Sequence, residues 1–217
     1  MELFYHPLSR YSQKVLIALY EKQANFFPRI TDLHDPLARK AYCQISPLAK
    51  LPLLRFADGR LLPESSIIIE FLDQHFHSGT QLLPQDNEAN LSVRLLDRLI
   101  DNDLNNTLHR LALLTSKAED QQDHIHQKQL ENIITVTLSL LDAQLANHHW
   151  LCGDTFTLAD CALLPCLDYA LERVSSFELA NLHRYHQQAQ IRGAWMLVAD
   201  EIALAQSETQ AGKRFIP

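Results

Sequence analysis

Leu51-Pro-Leu-Leu-Arg-Phe56 joins a proline to a short apolar run with the composition of a β-strand. Proline cannot donate a hydrogen bond to a strand ladder, so Pro52 marks the point where the strand begins. If the peptide bond before Pro52 is cis, the N–H and C=O groups of Leu51 turn outward. They are then free to pair with an extended ligand, and the stretch predicts a strand edge that binds a peptide backbone.

A second motif, Glu64-Ser65, stands at the head of an apolar helical stretch that follows this strand. The first N–H groups of a helix have no partner within the helix, and they attract an anion. The carboxylate of Glu64 can hold a nearby ammonium group. Together with the strand edge, the motif favours a small zwitterionic peptide as the ligand.

The composition indicates a folded chain in a reducing compartment. The 217 residues are 47% hydrophobic, enough for a sizeable core in one large domain or two small ones. The net charge of −7 and the scattered basic residues argue against nucleic acid as a partner. No apolar run is long enough to span a membrane and no leader precedes the first strand, so we expect a cytoplasmic protein. The cysteines form no metal-site spacing, and we expect no bound metal.

Residues 1–78 alternate between strand and helix patterns. Periodicity and turn residues predict strands at 3–5, 26–30, 52–56 and 60–62, and helices at 11–22, 36–44 and 65–76. The order β-α-β-α-β-β-α predicts a mixed sheet, parallel where a helix crosses over and antiparallel at the hairpin.

A polar stretch at residues 79–86 predicts a linker, and after it the hydrophobic period is helical throughout. Residues 87–217 are therefore predicted to form an all-helical domain, whose first long helix is indicated by the spacing of Leu91, Leu95, Leu96, Leu99 and Leu104. Within it, Thr157 and Asp160 have the spacing of a capping box, with aspartate in place of glutamate. The predicted fold class is α/β plus all-α, with a small α/β domain followed by a helical bundle.

Four stretches of the chain resemble the cytosolic glutathione transferases. They are Tyr5-His-Pro-Leu-Ser-Arg-Tyr-Ser-Gln-Lys-Val15, Ser46-Pro-Leu-Ala-Lys-Leu-Pro52, Leu62-Pro-Glu-Ser65 and Gly153-Asp-Thr-Phe-Thr-Leu-Ala-Asp160. Each is a weak signal alone, whereas all four in order at the family's spacing are specific. The resemblance implies a thioredoxin-like domain and a helical domain that contributes the pocket for an electrophile. It also implies a homodimer, glutathione as cosubstrate and a role in detoxification.

The resemblance assigns roles to both motifs. It implies that Pro52 places the backbone of Leu51 against the cysteine of glutathione, and that Glu64 and Ser65 hold the γ-glutamyl end. Lys50 is the nearest candidate to pair with the glycyl carboxylate, although an ordinary surface lysine is equally consistent. The capping box is implied to serve folding rather than chemistry.

Ser9 stands where the serine-type members, similar to the theta and phi classes, keep the hydroxyl that activates the thiol. A cysteine there would form a mixed disulfide with glutathione, whereas a serine hydroxyl donates a hydrogen bond to the sulfur and favours thiolate. Because thiolate is the form that attacks electrophilic carbon, conjugation is favoured over disulfide exchange. Ser9 can also serve as the N-cap of the first helix, and the two roles can coexist.

Other residues are alternatives for the same site. Tyr5 is the rival thiol donor at the end of the first strand, or a packed strand residue. Tyr11 and Ser12 are a pocket aromatic and a further hydroxyl, or surface residues of the first helical turn. On the first long helix, Asp101 or Asp103 can reach across a related dimer to the glutathione ammonium, or belong to a solvated face.

The resemblance leaves the reaction open, because one fold hosts many activities. Glutathione-dependent isomerases, peroxidases and dehalogenases share the scaffold, although a zeta-type isomerase would favour a Ser-Ser-Cys start that this chain lacks. Non-catalytic regulators also share it, such as the stringent-starvation proteins that bind RNA polymerase. Those are expected to have a broken glutathione site, yet Leu51-Pro52 and Glu64-Ser65 are intact. We therefore expect a glutathione transferase that acts on a small hydrophobic electrophile.

Overall fold

The structure, a computed structural model, describes residues 1–116, 118, 123–173 and 178–210. The chain groups by its internal contacts into two units. The first unit joins Met1–Leu82 to the part of the chain that begins at Arg192, and the second comprises Leu83–Ile191.

A four-stranded mixed sheet forms the centre of the first unit. Its strands are β1 (Glu2–Tyr5), β2 (Phe27–Ile30), β3 (Leu53–Arg55) and β4 (Leu61–Pro63), in the spatial order β2-β1-β3-β4. Strand β1 pairs in parallel with β2, and β3 pairs antiparallel with both β1 and β4. Three helices alternate with these strands along the chain: α1 (Arg10–Glu21), α2 (Pro36–Cys43) and α3 (Ser65–His75). The predicted order β-α-β-α-β-β-α and the mixed connectivity are confirmed.

Helix α1 lies in the core of the first unit and packs against α3. Its apolar residues at 15–19 are fully buried, as its hydrophobic pattern predicts. Two polar residues on the same helix, Gln13 and Lys14, are buried as well. Buried polar groups require hydrogen-bond partners, and the partners of these two side chains shape the candidate site.

The second unit is helical. Its helices are α4 (Asn87–Leu99), α5 (Asn106–Thr115), α6 (His124–Gln144), α7 (Leu158–Leu171) and α8 (Ala180–Gln190), with a π-helical segment at Ile100–Asn105 and a 3-10 turn at Leu145–Asn147. The α4, π-helical and α5 segments follow one another without a break, as the predicted first long helix requires. Among the described residues, no helix is both long and apolar enough to cross a bilayer.

The buried face of α4 differs from the leucines that predict the helix. Leu91 and Leu95 are 61% and 64% exposed, whereas Val93 and Ile100 are fully buried. The carboxylate-bearing Asp97 shares the buried side. The spacing of the leucines therefore predicted that a helix forms here, but it did not predict which face of the helix packs on the rest of the unit.

Asp160 and Thr157 form a capping box at the N-terminus of α7. Asp160 is completely buried, and its carboxylate accepts from the N–H of Thr157 at 2.8 Å, from the hydroxyl of Thr157 at 3.0 Å and from the N–H of Leu151 at 3.0 Å. Burial raises the pKa of Asp160 to about 6, while these hydrogen bonds act in the opposite direction. The carboxylate thus fixes both the helix start and the loop before it.

Helix α9 (Gly193–Gln210) belongs to the first unit. Its Glu201 accepts hydrogen bonds from the hydroxyls of Tyr5 and Tyr20. Just before the helix, Arg192 binds both carboxylate oxygens of Glu21, at 2.6 and 2.8 Å. The hydrophobic pattern predicts this helix as part of the domain at 87–217, because a helical period does not indicate which core a helix joins.

Glu2 links three strands of the sheet through its carboxylate, which is bonded by Arg29 and Arg55. These bonds lower the pKa of Glu2 from its ordinary value of 4.5 to about 2. A lowered pKa stabilises the fold above pH 4.5, and the contribution is lost as the pH falls toward about 2. Glu2→Gln is therefore expected to unfold at a lower temperature than the wild type at neutral pH, and the difference should vanish in strong acid.

Thermal unfolding followed by circular dichroism across this pH range measures the effect. Glu208→Gln, which removes a carboxylate from α9 without touching this cluster, serves as the control. A difference between Glu2→Gln and wild type that is independent of pH would contradict the expected linkage.

Candidate functional site

Ser9 is the N-cap of α1. Its hydroxyl oxygen accepts from the N–H of Ser12 at 3.4 Å, and its own N–H donates to the carbonyl of His6 at 3.0 Å. A serine hydroxyl can accept at its oxygen and still donate its proton elsewhere. The capping role is therefore present and leaves the hydroxyl proton available, on a side chain that is partly exposed.

The loop that carries Ser9 is held by buried polar contacts. Gln13 donates from its side chain to the carbonyl of Pro7 at 2.7 Å, and the N–H of Leu8 donates to Nδ1 of His6 at 3.2 Å. Burial lowers the pKa of His6 below its ordinary value, which favours the neutral imidazole. Gln13 and His6 were not among the predicted site residues, because the sequence around neither of them indicates that its side chain is buried.

Ser12 lies inside this loop rather than at a surface. Its side chain is fully buried, and its oxygen accepts from the N–H of His6 at 3.3 Å. The structure therefore places Ser12 as a hydrogen-bond partner of the loop backbone and of the side-chain oxygen of Ser9. Tyr11, one residue earlier, is partly exposed on the first turn of α1.

The hydroxyl of Tyr5, the rival donor to a bound thiol, already has a hydrogen-bond partner in α9. The side chain is 3% exposed, and the hydroxyl donates to Glu201 at 2.8 Å. Burial and this carboxylate both raise the pKa of Tyr5 above its ordinary value. The hydroxyl proton is thus already engaged, which favours Ser9 over Tyr5 as a donor to a bound thiol.

Leu51 lies two residues before the first residue of β3. The peptide bond between Leu51 and Pro52 is cis, and the pairing of β3 begins only at Leu53. A hydrogen bond holds the backbone that precedes Leu51: the buried hydroxyl of Tyr42 donates to the carbonyl of Lys50 at 2.9 Å. Burial raises the pKa of Tyr42 to about 12, so this donor keeps its proton. The side chain of Lys50 itself is exposed.

Glu64 occupies a strained backbone conformation at the start of α3. Its φ is 71° and its ψ is 115°, in the region that disfavours side chains other than glycine. Such residues cost about 1–3 kcal/mol and cluster at ligand clamps. The side chain of Glu64 is exposed, and Ser65 follows as the first helical residue, 7% exposed. The arrangement presents a carboxylate, a hydroxyl and a helix N-terminus together.

The two aspartates of the first long helix have different environments. Asp101 is 4% exposed, and its carboxylate is bonded by Arg98 of the same chain. Asp103 is exposed. Of the two, Asp103 is the one whose side chain is accessible at the surface of its own unit.

No group of three or more His, Cys, Asp or Glu side chains in the described part of the chain is placed to hold a metal ion. The N-terminal ends of α1 and α3 carry the hydroxyls of Ser9 and Ser65, the carboxylate of Glu64 and backbone N–H groups. This set suits hydrogen bonding to a zwitterionic peptide.

Comparisons with known proteins agree with this architecture. The model of the glutathione S-transferase N-terminal domain matches residues 3–80, and that of the glutathione S-transferase C-terminal domain matches residues 104–189. A stringent starvation protein A homolog from Coxiella burnetii is 30% identical over 168 residues, covering 77% of this chain and 74% of that protein. A probable maleylacetoacetate isomerase from Caenorhabditis elegans is 29% identical over 169 residues, covering 76% of each.

A solved structure is similar over nearly the whole chain. It is a glutathione S-transferase from Methylobacillus flagellatus with glutathione bound, and it is 26% identical, with a TM-score of 0.83. The similarity covers 91% of this chain and 98% of that one. The matches to both family domains, together with the sheet order and the helical second unit, show that this chain belongs to the glutathione S-transferase family.

Proposed function

We propose that this protein is a serine-type glutathione transferase that holds glutathione as thiolate for attack on a small hydrophobic electrophile. The observation that carries the proposal is the N-terminus of α1, where Ser9 caps the helix through its oxygen and keeps its hydroxyl proton. The intact strand edge at Leu51 and the strained start of α3 at Glu64 support it. The bound glutathione in the similar bacterial structure supports the choice of cosubstrate.

In this proposal, the peptide lies along the extended backbone next to Pro52. The N–H and C=O of Leu51, which precede the paired residues of β3, form strand-like hydrogen bonds with the backbone of the glutathione cysteine. The hydroxyl of Ser65 and the N-terminus of α3 bind the γ-glutamyl carboxylate, and Glu64 binds the ammonium. Lys50, exposed beside Leu51, neutralises the glycyl carboxylate.

The chemical contribution of the protein is stabilisation of charge. A free thiol titrates near a pKa of about 8.5, and a hydrogen bond to the thiolate together with a helix N-terminus lowers that value. The sulfur then attacks the electrophilic carbon, so that a C–S bond forms and the leaving group departs with its electron pair. The thiol proton passes to solvent water, and Ser9 donates a hydrogen bond to the sulfur without removing that proton, because a serine hydroxyl is a poor base near neutral pH.

Removal of the Ser9 hydroxyl tests the proposal. The thiol of glutathione bound to wild-type protein should titrate about one to two units below 8.5, and in Ser9→Ala it should return toward about 8.5. The ultraviolet difference spectrum of the thiolate, recorded against pH, measures this directly. Calorimetry should show that Ser9→Ala still binds glutathione.

Ser9→Gly is the matched control for the capping role. Glycine caps a helix almost as well as serine, whereas alanine costs about 1 kcal/mol, so the two variants differ in stability but both lack the hydroxyl. Equal thiol pKa values in both variants, raised above wild type, support catalysis by Ser9. Ionisation that is unchanged from wild type would make Ser9 a cap only, and Tyr5→Phe would then be the next variant to measure.

A non-catalytic regulatory role is the second candidate. It is favoured by the 30% identity to the protein named as a stringent starvation protein A homolog. Retention on immobilised glutathione separates the two, since a regulator that had lost the site would pass through the column. The isomerase alternative is favoured by the relative named as a probable maleylacetoacetate isomerase, but Ser9-Arg-Tyr11 lacks the Ser-Ser-Cys start.

We also propose that the protein acts in the cytoplasm as a homodimer, as the family resemblance implies. Sedimentation equilibrium of the wild-type chain measures the oligomeric state. Asp103, exposed on its helix, is the residue proposed to approach the glutathione ammonium bound by the partner subunit.

A further inference from the structure

Lys14 is a lysine whose side chain is almost completely buried. It is 1% exposed in the middle of α1, and its ammonium donates to the hydroxyl of Ser66 at 2.9 Å. Ser66 is the second residue of α3, immediately after Ser65. The buried lysine of α1 therefore contacts the first turn of the helix whose N-terminus carries the proposed glutamyl site.

A second buried lysine links the same two helices farther along. Lys22, the C-cap of α1, donates to the carboxylate of Asp73 on α3 at 2.9 Å, and the side chains are 3% and 8% exposed. Eight residues separate the two lysines and seven separate their partners, which are nearly equal rises along two helices. Helices α1 and α3 therefore run side by side in the same direction, with their N-termini at the same end.

This alignment puts two helix N-termini next to each other. One begins at Ser9, five residues before Lys14, and the other begins at Glu64, two residues before Ser66. Side chains of a helix lean toward its N-terminus, so the stem of Lys14 extends toward the first turn of α1. The contact between Lys14 and Ser66 thus lies close to the N-terminus of each helix.

Burial of an ammonium group is costly unless it is paired and hydrogen-bonded. Its neighbours Val15 and Leu16 are apolar and fully buried, which is the usual composition of such positions. A contact that fixes the distance and the alignment between the two helix N-termini gives this lysine a role that an apolar residue could not fill. Glu70 lies four residues after Ser66, on the same face of α3.

We propose that Lys14 is a positioning residue for glutathione, which acts by holding Ser66, and so the first turn of α3, in register with the N-terminus of α1. The inference rests on the proposed function. In this proposal, the contact of Lys14 with Ser66 raises the affinity for glutathione, whereas the contact of Lys22 with Asp73 contributes to stability alone. Both are buried contacts between the same two helices.

Ser66→Ala tests this assignment, with Asp73→Asn as the matched control at the far end of the helices. Ser66→Ala is expected to raise the dissociation constant for glutathione by about 3- to 10-fold, the effect of one hydrogen bond. Ser66→Thr, which keeps a hydroxyl, should restore the wild-type value. Asp73→Asn is expected to lower the melting temperature further than Ser66→Ala while leaving the dissociation constant within about twofold, since the binding residues lie at the other end.

Calorimetric titration of glutathione into the full-length variants, with melting curves of the same samples, gives both readouts. An unchanged dissociation constant in Ser66→Ala, or equal losses in Ser66→Ala and Asp73→Asn, would overturn the positioning role and leave the proposed function intact. A wild-type chain that does not bind glutathione would overturn the proposed function, and the positioning role with it. Lys14→Met extends the series, because its loss of affinity should equal or exceed that of Ser66→Ala.

Discussion

Asp160→Ala is expected to lower the free energy of unfolding of this protein by about 3–5 kcal/mol. The carboxylate accepts hydrogen bonds from two backbone N–H groups and one hydroxyl, all of them buried. Alanine leaves these donors without an acceptor in a place that water cannot reach. Each buried donor left unsatisfied costs about 1–3 kcal/mol, and loss of the cap adds to that.

Urea unfolding of the wild type and the variant, followed by circular dichroism at neutral pH, measures the loss. Asp154→Ala, an exposed aspartate in the loop before α7, is the control and should change stability by no more than about 0.5 kcal/mol. Asp160→Asn keeps one acceptor oxygen and should fall between wild type and Asp160→Ala. A loss below about 1 kcal/mol in Asp160→Ala would mean that the loop finds other acceptors.

Gly79→Ala is expected to destabilise the first unit by about 3 kcal/mol or more. A Cβ atom at this position would lie 1.8 Å from the carbonyl oxygen of Glu21, which belongs to the backbone and has little freedom to move. The next residue, Thr80, donates its N–H to that same carbonyl at 3.0 Å. The close approach and the left-handed backbone, with φ at 69°, both require glycine here.

Gly59→Ala separates these two causes. Gly59 also has a positive φ, 85°, but a Cβ atom there would meet no atom within 4 Å. Gly59→Ala should therefore cost only the conformational term, about 1–2 kcal/mol, and Gly79→Ala should cost clearly more in the same urea unfolding experiment. Equal losses of unfolding free energy in the two variants would show that the backbone near Glu21 moves to accommodate the new methyl group.

The sequence predicted those parts of the fold that depend on local patterns. Each of the confirmed signals depends only on residues close to it in sequence. They are Pro52 before a strand, Glu64-Ser65 at a helix start, and the spacing of Thr157 and Asp160. The alternation of periods gave the order of strands and helices for the same reason. In the site, the N-cap position of Ser9 also followed from local signals.

Contacts between distant parts of the chain were not predictable in this way. Tyr5 and Glu201 are 196 residues apart, and nothing in either segment indicates that one bonds the other. The periodicity of α1 gave no reason to bury Lys14, because its partner Ser66 lies on a different helix. Polar pairs of this kind depend on tertiary packing, which a hydrophobic pattern does not encode.

The return of α9 to the first unit makes that unit discontinuous in sequence. During synthesis, residues 1–82 leave the ribosome long before the carboxylate of Glu201 and the guanidinium of Arg192 exist to bind Tyr5, Tyr20 and Glu21. Domains ordinarily fold in the order in which they are made. In this chain, the first unit is complete only once α9 has been made, so the helical unit, Leu83–Ile191, is the first whose residues are all present.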